Sequence, residues 1–173
     1  IDFLNSRVDV GEAKAALNAI TLATTNAIVN GINIQMLNDN TAQELNYYAS
    51  VSGRFKKEEF PAEQCLKLKV GAQVMFLKND QGKRWANGTL GVINELLRNK
   101  IKVKIKDDIY EVNKETWEKI EYVYNKEEDK VEEKIVGSFT QYPLKLAWAV
   151  TIHKSQGQTF DKVVIDIRGG AFT

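Results

Sequence analysis

Residues 151–159, Thr-Ile-His-Lys-Ser-Gln-Gly-Gln-Thr, concentrate chemically active side chains between two apolar runs. Their hydroxyl groups, lysine ammonium and backbone N–H groups suit a phosphate when they converge near a helix terminus. Gly157 would let the backbone approach such a ligand closely. An ordinary capped loop with His153 facing solvent explains the same residues as well. The pattern alone leaves both interpretations open.

Nucleophilic catalysis and metal binding are poorly supported by the sequence. His153 and Ser155 are two residues apart, the chain has one His, and no Gly-x-Ser-x-Gly elbow is present. One His excludes a His-rich metal cluster, and the single cysteine, Cys65, excludes an internal disulfide framework. We therefore predict no catalytic residue and no metal site in this chain.

The elements around the polar segment predict an α/β domain. Residues 20–24 form a short β-branched and apolar run that is typical of a buried strand. Thr24, Thr25 and Asn26 then supply capping side chains in front of a helical apolar pattern. After the polar segment, residues 162–167 predict another buried strand.

Between these parts the hydrophobic period changes to two. From Cys65 onward, short alternating runs are separated by glycines and an Asn-Gly turn, and residues 100–106 alternate strictly between Lys and apolar residues. This spacing predicts a small antiparallel barrel at 65–142, inserted into an α/β domain formed by 1–64 and 143–173. The charged residues 125–133 predict a hairpin tip or a disordered loop.

Charge is segregated although the net charge is only +1. Residues 65–106 carry ten basic and two acidic residues, a net +8, whereas residues 107–142 carry five basic and eleven acidic residues, a net −6. Such a distribution can present a basic face to a polyanion, but charge alone favours a solvated strand face beside an acidic loop. Trp148 lies in an apolar run that predicts core packing, and Trp85 is left open between core packing and base stacking.

Three segments resemble superfamily 1B helicases of the RecD and Pif type. Residues 146–166 look like motif V of these helicases, and residues 22–26, with Asn33 in step, resemble motif IV. Residues 70–80 and 87–92 resemble the opening of their SH3-like 2B barrel. The family places this barrel as an insert in its second RecA-like domain. The resemblance thus implies a partial RecA-like domain interrupted by a small antiparallel SH3-like β-barrel.

The resemblance implies an ATP-driven motor that moves 5′ to 3′ on single-stranded DNA and opens duplex. It assigns contacts with DNA phosphates to Thr24, Thr25, Asn26, Thr151, His153, Lys154 and Ser155. It places Gly157, Gln158 and Thr159 beside the nucleotide phosphates, where they would couple the nucleotide state to the grip on DNA. The implied partners are single-stranded DNA and an N-terminal RecA-like domain of the same protein. The implied cofactors of the full-length protein are ATP and Mg²⁺.

The sequence also lacks parts that such a motor needs. No Gly-x-x-x-x-Gly-Lys-Ser/Thr loop occurs, and Arg168 is not at the position of the arginine finger in the family's final motif. The chain opens at Ile1 rather than Met, which predicts a piece of a longer protein. The resemblance implies that this piece is C-terminal, and the missing loop and arginine finger predict that it neither hydrolyses ATP alone nor binds it tightly. Without a signal peptide or an apolar run of about 20 residues, we expect no membrane partner. We expect a cytoplasmic protein, or a nuclear or mitochondrial one in a eukaryote.

A second hypothesis belongs to a different class of function. The chain would be a non-catalytic module in which the SH3-like barrel binds nucleic acid or protein and the α/β part is a scaffold. A phosphate-binding loop upstream of Ile1 in the full-length gene would exclude this hypothesis. The motif V resemblance favours the helicase.

Overall fold

The computed structural model describes residues 19–125 and 130–167, which form two compact units. Its helices are α1 (Asn26–Asp39) and α2 (Ile152–Ser155), with one 3-10 turn at Lys57–Glu59. Its strands are β1 (Ile20–Ala23), β2 (Glu44–Tyr48), β3 (Ser50–Gly53), β4 (Cys65–Lys69), β5 (Gln73–Phe76), β6 (Leu90–Leu97), β7 (Lys100–Ile105), β8 (Asp108–Val112), β9 (Glu115–Asn125), β10 (Lys130–Gln141), β11 (Leu144–Leu146), β12 (Ala149–Thr151) and β13 (Val163–Asp166). The fold is mixed α/β with mostly antiparallel strands, as predicted.

Of the described residues, 19–39 and 147–167 belong to the first unit, and 40–125 and 130–146 belong to the second. Residues 40–64, which the sequence assigned to the α/β domain, thus group with the second unit. The predicted insert at 65–142 lies inside the second unit, and as a domain assignment it stays a prediction. The predicted first domain also contains residues 1–18 and 168–173, which lie outside the described residues.

The first unit is built on a parallel sheet with the order β12-β1-β13. Both outer strands run parallel to β1. This agrees with the predicted strand followed by a capped helix, since a helix commonly connects parallel strands. Helix α1 packs on this sheet through a cluster of Ala23, Val29 and Ala149, against which Ile28 and Ile32 are also packed. This packing places α1 against β1 and β12.

One prediction about this sheet is wrong in its detail. Strand β13 forms where it was expected, but it is not the buried strand that its apolar residues predicted. Val163 is 42% exposed and Ile165 is 65% exposed. The reason is that β13 lies at the edge of the described sheet, and alternate residues of a strand share one face. The exposure is a property of this outer strand, because Ile20 of β1, which pairs with Val163, is fully buried.

The second unit contains three antiparallel sheets. Their orders are β11-β5-β6-β7-β8, β3-β10-β9 and β2-β4. The predicted alternation in β7 is confirmed, since Ile101 and Val103 are fully buried while Lys104 is exposed. Strand pairing is antiparallel as predicted, and the closure of these sheets into a barrel stays a prediction.

The range predicted as a hairpin tip or a disordered loop, 125–133, falls where β9 and β10 meet, but the sequence patterns did not show the length of this hairpin. The two strands pair from Glu115 opposite Gln141 to Asn125 opposite Lys130. Residues 130–133 of the predicted tip or disordered loop are therefore strand, and residues 126–129 lie outside the described residues. In the described ranges, neither helix is long and apolar enough to cross a bilayer.

Candidate functional site

Two neighbouring parallel strands end at the same edge of the sheet in the first unit. Ala23, the last residue of β1, pairs with Thr151, the last residue of β12. The chain leaves both strands into a polar segment. The register therefore brings the predicted residues of motif IV and motif V together, although they are far apart in sequence.

The first polar segment forms the start of α1. Thr25 caps this helix, because its Oγ1 accepts a hydrogen bond from the backbone N–H of Ile28 at 3.3 Å. Asn26 is the first helical residue and is exposed. The start of a 14-residue helix carries a partial positive charge and unpaired N–H groups. This end of the helix is therefore suited to an anion.

The second polar segment is ordered by its own hydroxyl groups. Thr151 has an extended backbone and its Oγ1 accepts from the backbone N–H of Lys154 at 3.4 Å, which caps α2. Ser155 donates from its Oγ to the carbonyl of Ile152 at 2.7 Å. The Ser155 hydroxyl thus forms a hydrogen bond within α2. Its contact with DNA stays a prediction.

The two segments enclose one open cleft of about 410 Å³. Its lining residues are Thr24, Thr25, Asn26, Thr151, His153 and Lys154. None of them is acidic. The Lys154 ammonium has no ion pair with any residue in the described ranges, and the side chain is exposed. Apart from Ser155, the structure brings every predicted DNA-contacting residue to this cleft.

Thr24 occupies an unusual place in the cleft wall. It is only 5% exposed, and its Oγ1 is buried with no hydrogen-bond partner among the described residues. A buried hydroxyl that lacks a partner is unfavourable by about 1–3 kcal/mol. Thr24 thus places in the cleft wall a hydroxyl that has no partner among the described residues.

The predicted nucleotide-binding residues are not part of the cleft lining. Gly157, Gln158 and Thr159 follow α2 in a turn, where the backbone N–H of Gln158 donates to the carbonyl of Ser155 at 3.0 Å. Gly157 has a φ of +76°, a left-handed conformation that favours glycine. Their contact with a nucleotide stays a prediction. The described part of the chain contains no group of three or more His, Cys, Asp or Glu side chains placed to hold a metal ion.

The structure decides between the two interpretations of Trp85. Its ring stacks on Phe76 with 4.5 Å between centroids, and the guanidinium of Arg84 lies 4.5 Å from its centroid. With 9% of its surface exposed, Trp85 is a core residue of the second unit and is not presented to a base. Trp148 is also 9% exposed, so the predicted core role is confirmed.

Arg84 is held in place by Asp80. Its Nε and Nη2 donate to the two carboxylate oxygens at 2.9 and 2.6 Å. These hydrogen bonds lower the pKa of Asp80 from 3.8 to about 2. The pair thus fixes the guanidinium against the Trp85 ring.

The lysine-rich strand β7 is partly neutralised by neighbouring strands. Lys102 forms an ion pair with Glu95 on β6 at 2.6 Å, and Lys100 forms one with Glu111 on β8 at 2.5 Å. These contacts agree with the interpretation as a solvated strand face. They give no reason to assign DNA binding to these lysines.

Sequence reasoning assigned no role to Asn33. It is only 8% exposed and exchanges two hydrogen bonds with the backbone of Ala149. A signal was present in the sequence, because Val29, Asn33 and Leu37 form the buried stripe of α1 at a spacing of four residues. A polar residue within such a stripe has to find a buried partner.

Comparison with known proteins points to one helicase family. The family model described as DNA helicase Pif1, 2B domain, matches residues 56–96. An ATP-dependent DNA helicase Pif1 from Campylobacter jejuni is 32% identical over 184 residues, covering 95% of this chain and 40% of that protein. The one from Bdellovibrio bacteriovorus is 40% identical over 111 residues, covering 64% of this chain and 24% of that protein.

Solved structures agree with the sequence matches. Bacteroides Pif1 bound to ssDNA superimposes with a TM-score of 0.79 at 35% identity, covering 96% of this chain and 38% of that one. Pif1 helicase from Candida albicans superimposes with a TM-score of 0.70 at 28% identity, covering 96% of this chain and 43% of that one. The chain thus spans less than half the length of these relatives.

Proposed function

On the premise that this chain is a segment of a Pif1-type DNA helicase, we propose that its cleft binds the phosphates of single-stranded DNA. One observation carries the proposal. The pairing of Ala23 with Thr151 brings the segments 24–26 and 151–154 to one edge of the sheet, where they line the same cleft. The ssDNA complex of the Bacteroides relative supports this choice of ligand.

The chemistry of the lining fits a phosphate backbone. Lys154 supplies a cation, α1 supplies helix N–H groups, and Thr24 supplies a hydroxyl without a partner among the described residues. Contacts of this kind are independent of base sequence and sensitive to salt. A motor that moves along a strand needs such contacts, because it must grip every nucleotide alike.

The parent protein is, in this proposal, an ATP-dependent helicase that moves 5′ to 3′ and opens duplex DNA. It uses ATP and Mg²⁺, which agrees with the ADP-AlF4 complex described for a Bacteroides relative. The 173 residues contain no Walker A loop, so a first RecA-like domain has to supply it. Gly157, Gln158 and Thr159 would approach the nucleotide and link its state to the cleft. The protein works in the cytoplasm, or in the nucleus or mitochondrion of a eukaryote.

The binding-module hypothesis receives less support. The cleft lies in the first unit, whereas that hypothesis places recognition in the inserted strands. The matches to Pif1 helicases also extend over 95% of the chain and are not restricted to the 2B region. A helicase segment accounts for both observations.

Fluorescence anisotropy of a labelled single-stranded oligonucleotide tests the proposal. The 173-residue chain is titrated at about 50 mM and about 200 mM salt, and the affinity is expected to fall as salt rises. The matched control is a methylphosphonate oligonucleotide of the same base sequence, which lacks backbone charge. We expect little binding to this control. Equal binding to both backbones, or no binding to the charged strand at low salt, would contradict the proposal.

A further inference from the structure

We propose that Asn33 is a positioning residue that holds the two phosphate-binding segments in register. The inference rests on the proposed function, since it concerns how the same cleft is kept in shape. Asn33 does not line the cleft. It acts through α1, which begins at Asn26 directly after Thr25, and through β12, which ends at Thr151.

The carboxamide of Asn33 pairs with one backbone residue of β12. Its Nδ2 donates to the carbonyl of Ala149 at 3.0 Å, and its Oδ1 accepts from the N–H of Ala149 at 2.9 Å. Both hydrogen bonds are buried. The carboxamide thus offers Ala149 the donor and acceptor that a neighbouring strand would offer.

The sheet explains why Ala149 needs this partner. Among the described strands, β12 is at the edge of the sheet, with β1 on one side. The carbonyl of Trp148 accepts from the N–H of Thr21 at 2.8 Å, so residue 148 directs its backbone groups toward β1. Successive residues of a strand direct these groups to opposite sides, so those of Ala149 face away from β1. Ala149 is 1% exposed, and Asn33 satisfies both groups where water has little access.

The position of this contact joins the two halves of the site. Ala149 lies two residues before Thr151, whose hydroxyl caps α2. Asn33 lies two helical turns beyond Asn26, at which α1 begins. A shift of α1 along β12 would therefore move the start of α1 relative to Lys154. The paired hydrogen bonds oppose this shift, whereas the apolar contacts around Val29 are less directional.

A double-mutant cycle with Lys154→Ala tests the inference. Asn33→Asp keeps the acceptor for the N–H of Ala149 but loses the donor to its carbonyl, and Asn33→Gln keeps both groups on a longer arm. Thermal unfolding and circular dichroism identify which variants are folded, and the affinity for single-stranded DNA is measured on those. Asn30→Ala, at an exposed position of the same helix, is the matched control.

We expect a folded Asn33 variant to bind DNA about threefold to tenfold more weakly, with Asn30→Ala unchanged. Lys154→Ala should then cost less affinity in the Asn33 background than in the wild type, because Lys154 is already misplaced. Additive losses would overturn the inference while leaving the proposed function intact, and so would unchanged DNA affinity in both Asn33 variants. If Lys154→Ala has no effect in the wild type, the proposed function and this inference both fail.

Discussion

Ala23 and Thr151 are paired across two parallel strands, and both are the last residues of their strands. This register determines where the polar segments begin, because the chain turns away from the sheet at the same level in both places. The cleft is therefore a consequence of strand pairing, and its residues are brought together by the backbone. Each side of the cleft makes its own testable contribution.

The Thr25 hydroxyl contributes to stability as well as to the site. Thr25→Ala removes the acceptor for the N–H of Ile28, which is 3.3 Å away, and should lower the free energy of unfolding by about 1 kcal/mol. Thr25→Ser keeps the oxygen and is the control. Urea unfolding of both variants provides the measurement. If Thr25→Ala and Thr25→Ser have the same free energy of unfolding, Thr25 is not the cap of α1.

Trp85 contributes to stability and not to DNA binding. Trp85→Leu leaves a cavity beside Phe76 and removes the stacking with Arg84, so the free energy of unfolding should fall by about 3 kcal/mol. The affinity of the folded variant for single-stranded DNA should stay at the wild-type value. Thermal unfolding and anisotropy titration measure the two quantities. A folded variant with lost DNA affinity would restore the base-stacking interpretation.

The ion pair of Asp80 and Arg84 makes stability depend on pH in the acid range. Its hydrogen bonds lower the pKa of Asp80 to about 2 in the folded state, against an ordinary value of 3.8. A lowered carboxyl pKa stabilises the fold fully above the unfolded value, and this contribution is lost as pH falls from 3.8 toward 2. Asp80→Asn should therefore be less stable than the wild type near neutral pH.

Urea unfolding at several pH values measures this effect. The difference in free energy of unfolding between the wild type and Asp80→Asn should be constant from about pH 7 to about pH 5 and should narrow below about pH 4. A difference that stays the same down to about pH 3 would show that the folded pKa of Asp80 is not lowered.

Gly157 tests the predicted link to the nucleotide. Its φ of +76° disfavours a side chain, although a Cβ there would meet no atom within 4 Å. Gly157→Ala therefore strains only the backbone, by about 1–2 kcal/mol, and should shift the turn that follows α2. In a protein that also carries the first motor domain, we expect DNA-stimulated ATP hydrolysis to fall more than DNA affinity.

Gly31→Ala is the control for that experiment. Gly31 lies in α1 with no atom within 4 Å of an added Cβ, so alanine should be tolerated and even favoured in the helix. Steady-state ATPase assays and anisotropy titrations compare the two variants. An equal loss of hydrolysis and affinity in Gly157→Ala would argue against a coupling role.

Elements with local signals could be predicted from the sequence. The strand ending at Ala23 and the helix starting at Asn26 follow from an apolar run and adjacent capping side chains, and the alternation in β7 predicts its buried face. The length of the β9–β10 hairpin, beyond the tip that the charged residues 125–133 suggest, could not be predicted in this way. The stability of the hairpin comes from contacts between distant residues, such as Phe139 opposite Trp117, while much of its outer part is charged and exposed.

The site likewise has features that the sequence predicted and features that only the folded structure shows. Polar residue types and the helicase resemblance named the residues of the cleft, but they did not give the state of each hydroxyl. The Ser155 hydroxyl donates to the carbonyl of Ile152 because of the geometry of the helix. The Thr24 hydroxyl is buried by packing and has no partner in the described ranges. The role of Asn33 depends on an edge strand that only the sheet order reveals.

The central claim is that the cleft binds DNA phosphates, and Lys154 provides its most direct test. Lys154→Ala is compared with Lys162→Ala, which removes an exposed lysine of the same unit at the opposite end of the parallel strands. The dependence of single-stranded DNA affinity on salt is measured for both variants and the wild type. Lys154→Ala should bind more weakly, with a slope of log affinity against log salt reduced by about 0.7, while Lys162→Ala keeps the wild-type slope. An unchanged slope in Lys154→Ala, or an equal reduction in both variants, would contradict the account.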